Sequence, residues 1–219
     1  MSDDIPPEPD YITYDIVFGM SLKPILLGFL ENPSSGYDLK KIFDETVRFF
    51  WSAELSQIYP TLHQLRSEGL VVSTRERSEK GPDREVYSRT PAGTEELQRW
   101  LAAGPVSHTE RFAFLAQLFF LGQAEDLDLT RSFLQQLRAR FADRLQVLRS
   151  IDDKEREEQP GYPESLTSRD FHAYLTLLCG LNRLEASVAW CDESLRLLEK
   201  RELLHHGGKK TKRDERRVR

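Results

Sequence analysis

Two sets of side chains in this sequence have types and spacings suited to contact with a polyanion and its bases. The first lies in Ala53–Leu70, AELSQIYPTLHQLRSEGL. Ile58, Leu62 and Leu65 recur at i, i+4 and i+7, which marks the buried face of a helix. At about 100° per residue the opposite face carries Ser56, Pro60, His63, Gln64 and Ser67, flanked by Gln57 and Thr61. That face is uncharged but rich in hydrogen-bonding groups. Glutamine can pair bidentately with adenine, and serine or threonine can serve either base type. Such residues also populate ordinary solvated helix faces, so this face alone does not separate the two readings.

The second set follows at once. Leu70–Arg77 alternates like a strand, Glu79–Asp83 is a turn containing Gly81-Pro82, and Arg84–Arg89 returns. Arg75 and Arg77 are two positions apart and point to one face of the strand. Lys80 sits in the turn and Arg84 on the return. Cations so placed suit phosphates or the minor groove. Glu76, Glu79, Asp83 and Glu85 interleave with them, as on any solvated hairpin. The helix before the hairpin tips the reading toward a DNA-binding surface.

Catalysis finds no such set. His63, His108, His172, His205 and His206 lie in no nucleophile motif and no H-x-x-x-H or H-E-x-x-H spacing. There is no G-x-G-x-x-G and no P-loop, and Asp152-Asp153 and Glu157-Glu158 read as a solvated helix end. The expectation is a protein that is not an enzyme, with no catalytic residue, metal or cofactor.

The elements that must position these residues run in a familiar order. Ser21–Glu31, Tyr37–Phe50 and Ser56–Glu68 read as helices, the third stopping at Gly69, a good residue just past a helix end. Pro60 must sit in the first turn of the third helix or kink it. After the hairpin, Thr90 can cap a fourth helix, Pro91–Leu101, with Pro91 at the first helical position. Helix, helix, helix, hairpin, helix is the order of a winged helix-turn-helix domain. Tyr37 and Trp51 read as packing residues.

Ala103-Gly104-Pro105 marks a boundary. Beyond it lie a short apolar segment, Arg111–Leu121, and long helices over about residues 129–157 and 168–203. In the last helix Leu177, Leu181, Leu184, Val188, Cys191, Leu195 and Leu198 form a heptad seam, which Tyr174 extends backwards. Leu134, Leu137, Phe141, Leu145, Leu148 and Ile151 form a stripe on the helix before it. The two stripes can bury each other within the chain, or leave a seam for a second subunit. The sequence favours dimerisation, since a symmetric protein naturally reads two half-sites.

The fold class is therefore mainly α, a winged helix-turn-helix domain followed by an all-α dimerisation domain. The expected boundaries are an extension over 1–20, the winged domain over 21–104, the helical domain over 105–204 and a basic disordered tail over 205–219. A net charge of −5 argues against a uniformly basic binder but allows a local patch. Two cysteines, Cys179 and Cys191, are too few for a disulfide framework. On one helix they would stand roughly 18 Å apart, so both read as buried thiols. The acidic, proline-rich start MSDDIPPEPD is unlike a signal peptide, and no apolar run approaches a membrane span. The expected location is cytoplasmic.

The segments GFLENPSSGYDLKKIFDE, FFW, SQIYPTLHQLRSEGLV and YSRTPAGTEELQRWL resemble, in order and spacing, the PadR family of bacterial transcriptional regulators. ERFAFLAQLFFLGQ and the last helix resemble the helical domain of its longer subgroup. The resemblance implies a homodimeric repressor on a palindromic double-stranded DNA operator. It places Ser56, Gln57, Tyr59 and Thr61 at the start of the recognition helix, against DNA. Tyr59 reads equally as a core aromatic with a polar tip. The resemblance also allows a small aromatic or hydrophobic effector, for which Phe18, Phe112, Phe114, Phe119 and Trp190 supply aromatic faces, although aromatic rings at helical spacing more often form core. The alternative reading is a winged-helix interaction or effector-binding module without sequence-specific DNA binding.

Overall fold

The computed structural model describes residues 22–77, 84–105, 111–124 and 126–215, with side chains described as far as Leu203. The chain forms two compact units that divide between Glu110 and Arg111.

The first unit contains α1 (Leu22–Phe29), β1 (Ser34–Ser35), α2 (Gly36–Ile42), α3 (Leu55–Ser67), β2 (Val71–Glu76), β3 (Arg84–Arg89) and α4 (Pro91–Ala102). The strands form an antiparallel sheet in the order β1-β3-β2, with Tyr87 of β3 opposite both Ser34 and Ser73. Leu26, Leu27, Leu39, Phe43, Ile58, Leu62, Leu65, Val71 and Tyr87 pack into one core. The apolar spacing of α3 therefore does what its period requires: Ile58, Leu62 and Leu65 are fully buried. Helix, helix, helix, hairpin, helix is the observed order, and the fold is a winged helix.

Local chemistry explains most of the boundaries. Ser35 and Asp38 close a capping box on α2: Asp38 N donates to Ser35 Oγ at 3.2 Å, and Ser35 N donates to the Asp38 carboxylate at 3.0 Å. Gly69, at φ +72°, ends α3 in the left-handed conformation that glycine adopts without strain. Thr90 caps α4 by accepting from Gly93 N at 3.1 Å, with Pro91 at the first helical position. Two expectations need correction, and the position of Pro60, left open between two alternatives, is now fixed. The second helix does not continue regularly, but widens into a π-helical turn over Phe43–Val47. Pro60 lies well inside α3, not in its first turn. The N–H it lacks would have bonded to the Ser56 carbonyl, which belongs to an exposed residue and can turn to solvent. Tyr37 does not pack the domain; it is exposed, whereas Trp51 packs on the core.

The Asp38 carboxyl is held below the usual carboxylate range, first by the Ser35 hydroxyl and then by the Ser35 backbone N–H, with Arg84 and Lys41 adding charge. A depressed folded pKa contributes stability above the unfolded carboxylate pKa that is lost as pH falls through the folded value. Asp38→Asn is therefore expected to flatten the acid limb of the stability curve, and Ser35→Ala to cost about 1 kcal/mol at neutral pH. Denaturant melts at several pH values check both. An acid limb unchanged in Asp38→Asn would remove this carboxylate from the account.

The second unit contains α5 (Ala113–Leu121), α6 (Leu127–Glu158) and α7 (Ser168–Glu215). Asp126 caps α6 by accepting from Leu129 N at 3.0 Å. The pairs Arg131–Glu202, Arg138–Asp192 and Arg149–Glu185 run in opposite directions along the two long helices, which fixes α6 and α7 as an antiparallel hairpin. Leu145, Leu148, Leu177 and Leu181 are buried between them, with Leu184 and Val188 packed alongside. At the hairpin tip Tyr162 donates to Asp152 at 2.8 Å and stacks edge-on against Tyr174.

This arrangement covers much of the expected dimer seam within the chain. Leu177, Leu181, Cys191 and Leu198 are buried within the chain, and Leu184, Val188 and Leu195 are half-buried. A helix as long as α6, returning after a short loop, covers the seam at little entropic cost. Cys179 is exposed, not buried, because it lies off that seam. The tail also differs from expectation, since the α7 backbone stays helical through Glu215. Lys, Arg and Glu are good helix formers, and extending an existing helix avoids the nucleation cost. The extension over 1–20 and Arg216–Arg219 lie outside the described residues. No described helix is long and apolar enough to cross a membrane.

Large apolar side chains are exposed on several elements, and α5 stands out because it has no buried residue. Phe119 is 79% exposed and Phe120 57%. Phe114 turns the other way, with its ring 5.7 Å from Phe141 and 6.2 Å from Trp190. Phe112 stands 5.6 Å from Phe114, so three of the aromatics singled out in the sequence do share one cluster. Phe119 pairs instead with Phe120, and Phe18 lies outside the described residues.

Candidate nucleic-acid interface

Burial of Ile58, Leu62 and Leu65 fixes the rotation of α3, and that rotation decides what the helix presents. Ser56, Gln57, His63 and Gln64 are exposed, Tyr59 is 39% exposed, and Thr61 is half-buried. Several of these groups already hold partners. Gln57 accepts from the Glu54 backbone N–H at 3.0 Å, closing the start of the helix. Thr61 donates to the Gln57 carbonyl at 2.8 Å, and Gln64 donates to Glu68 at 3.1 Å. Each contact is exposed and exchangeable, so these side chains can swing to a base edge at small cost. Ser56 adds its own hydroxyl and the carbonyl that Pro60 leaves without a helical donor.

Tyr59 is both packed and exposed. A Cβ on Gly36 would lie 2.7 Å from the Tyr59 ring, so the ring lies flush against the start of α2. The absence of a side chain at Gly36 is what allows that approach. Tyr59 therefore packs with its ring while part of it stays on the exposed side of α3.

Among the wing cations, Arg75 and Arg77 are exposed, and Arg75 stands opposite Glu85 in the strand register. Arg84 is paired. It donates to Glu76 across the hairpin, with Nη2 at 2.9 Å, and its Nη1 lies 3.6 Å from Asp38 on α2. Both pairs are about half exposed, so they hold Arg84 only weakly where it stands. Lys80 lies outside the described residues.

Sequence reasoning missed the residues that join helix to wing. Arg66 ends α3 and reaches Glu85 on β3 at 2.5 Å, while Ser73 and Tyr87 donate to the same carboxylate at 2.7 and 2.9 Å. Tyr87 is fully buried, and its hydroxyl pKa is pushed up to about 12, by burial first and by Glu85 second. In the sequence Glu85 looked like a charge diluting a basic patch. The usable signal was its place two positions before an aromatic on a strand, which puts both on one face.

The described side chains contain no group of three or more His, Cys, Asp or Glu that could hold a metal ion. What the surface offers is a neutral, polar helix face beside a cation-bearing ribbon. That pairing can read base edges with the first and hold phosphates with the second.

The chain is similar to known transcriptional regulators. The profile of the transcriptional regulator PadR-like family matches residues 25–99. A second profile, virulence activator alpha C-term, matches residues 110–199. The negative transcriptional regulator PadR of Bacillus subtilis is 33% identical over 184 residues, spanning 82% of this chain and 98% of that protein. The crystal structure of that regulator in complex with operator DNA superposes with a TM-score of 0.70 at 28% identity, covering 81% of this chain and 98% of the other. Its complex with p-coumaric acid gives 0.64 at 29% identity, over 81% and 95%. The Vibrio cholerae virulence activator AphA gives 0.65 at 27% identity, over 82% and 99%.

Proposed function

We propose, from the premise that this chain belongs to the PadR-like family of transcriptional regulators, that it is a DNA-binding repressor acting as a homodimer on a palindromic operator. The observation that carries the reading is the exposed, uncharged face of α3 lying beside the wing. Ser56, Gln57, Thr61, His63 and Gln64 act as the readers, with Tyr59 seated on Gly36 to steady them. Arg75, Arg77, Lys80 and Arg84 act as phosphate anchors. The exposed rings of α5 are the surface a second copy covers, in place of the seam that α6 already occupies. The Bacillus subtilis relative is known in complex with operator DNA and with p-coumaric acid, which supports both a duplex partner and release by a small aromatic acid. The chain has no enzymatic role in this account and acts in the cytoplasm.

Selection from a randomised duplex pool, followed by mobility shifts at several salt concentrations, tests the reading. A selected palindrome and a log–log salt slope that is clearly negative are expected. Arg77→Gln should weaken selected and unselected duplexes alike and reduce that slope by about 1. Gln64→Ala should instead relax preference at one base position and leave the slope in place. A chain that enriches no duplex and shows a flat slope belongs to the interaction-module class.

A further inference from the structure

Glu85 stands where the recognition helix meets the wing, and both of its carboxylate oxygens are engaged. Arg66 Nη1 and Ser73 Oγ donate to Oε1 at 2.5 and 2.7 Å, and the Tyr87 hydroxyl donates to Oε2 at 2.9 Å. Arg66 Nη1 also lies 3.1 Å from Ser73 Oγ, so the group closes on itself. Three segments converge on this one carboxylate: the last turn of α3, the middle of β2 and the start of β3. Their footing is firm, because Tyr87 is fully buried and faces Ser73 directly across the ladder. The Glu85 carboxyl is held below its usual range, chiefly by the Ser73 hydroxyl and further by Tyr87 and Arg66. It stays an anion wherever the protein would meet DNA.

We propose that Glu85 and Arg66 form a positioning pair that sets the angle between recognition helix and wing, and so determines how sharply this protein separates its preferred duplex from other DNA. The inference rests on the reading of α3 and the wing as the DNA-contacting elements. A wing free to swing still meets phosphates, since every duplex offers them. What it loses is the ability to hold α3 at the one depth and angle where Gln57, Thr61 and Gln64 reach base edges. The pair is too exposed to matter much for stability, since ion pairs of this kind contribute little to folding. Its effect falls on geometry.

The sign of one substitution separates this from a charge effect. Glu85→Gln removes an anion beside a DNA-facing surface, and on charge alone it strengthens binding to every duplex. Positioning requires the opposite for a duplex selected from a random pool: about threefold weaker binding, with an unselected duplex unchanged or tighter. Arg66→Met should reduce the ratio of the two affinities similarly, and the double variant should lose no more than either single one, because one coupling is being broken. In parallel, spin labels at S56C and T74C in a C179S background should give one narrow distance distribution in the otherwise unsubstituted chain and a broad one with Glu85→Gln. Equal strengthening of both duplexes overturns the inference, as do additive losses in the double variant or an unchanged distance distribution. A chain that, unsubstituted, separates no duplex from another overturns the DNA reading together with this one. A failure of the positioning pair alone appears only in the variants.

Discussion

Replacing Phe119 and Phe120 together with glutamate is expected to leave both units folded, yield monomers, and weaken operator binding by about 10²–10⁴-fold. No residue of α5 is buried, so the substitutions open no cavity and unpair no internal group. Their effect must then fall on whatever covers these rings in solution. Two exposed phenylalanines on one short helix form an apolar patch that a monomer rarely keeps in water without a use. A symmetric dimer joins two recognition helices, so that binding one half-site presents the other helix to the second. Breaking the dimer removes that advantage without touching any DNA contact. Sedimentation across a concentration series and mobility shifts on a full palindrome and a single half-site check this together. The double variant should bind the half-site as the unsubstituted chain does and lose only the palindrome advantage. A variant that stays dimeric would move the interface elsewhere. The outward side of α7, where Leu175 and Leu197 are exposed, would come next.

The pattern of what was legible in the sequence has a physical cause. The start and end of α3, the hairpin and the cap of α4 follow from groups a few residues apart: Ile58, Leu62 and Leu65 by period, Gly69 by its backbone freedom, Thr90 by its hydroxyl. Such local signals need no knowledge of the rest of the chain. The apolar seam of α7 was equally legible, but its partner was not, because period reports that a face is buried and never by what. The loop between α6 and α7 lets the chain itself cover part of that face. Arg84 and Glu85 show the same limit on the scale of single side chains. Both read as wing charges, one suited to DNA and one opposed to it. Arg84 bonds to Glu76 across the hairpin with Asp38 nearby, and Glu85 takes Arg66, Ser73 and Tyr87, and charge counted along one strand cannot reveal such pairings.

Gly93→Ala is expected to destabilise the first unit by about 3 kcal/mol, although it adds a single methyl group to a helix. Helix propensity argues the other way, since alanine is favoured over glycine by about 1 kcal/mol in a helix interior. Space decides the outcome. A Cβ on Gly93 would lie 2.1 Å from the Leu70 carbonyl oxygen and 3.0 Å from Arg89 Cγ, and the first of these is backbone that cannot turn aside. The same carbonyl accepts from Thr90 N at 3.0 Å and lies 3.0 Å from the Thr90 hydroxyl. Pushing it away therefore strains the junction between β2 and the start of α4, including the cap that Thr90 provides. Gly28 gives the internal control. It lies within α1 with nothing inside 4 Å of its Cβ position, so Gly28→Ala should gain about 0.5–1 kcal/mol. Denaturant midpoints for the two variants should thus move in opposite directions from the same chemical change. If both rise, propensity governs at Gly93 as well, and the β2–α4 junction yields where the contact distance says it cannot. If they diverge, the glycine of the TPAG segment has its explanation in the Leu70 carbonyl, and the wing is held at its base by backbone contact as well as by the carboxylate of Glu85.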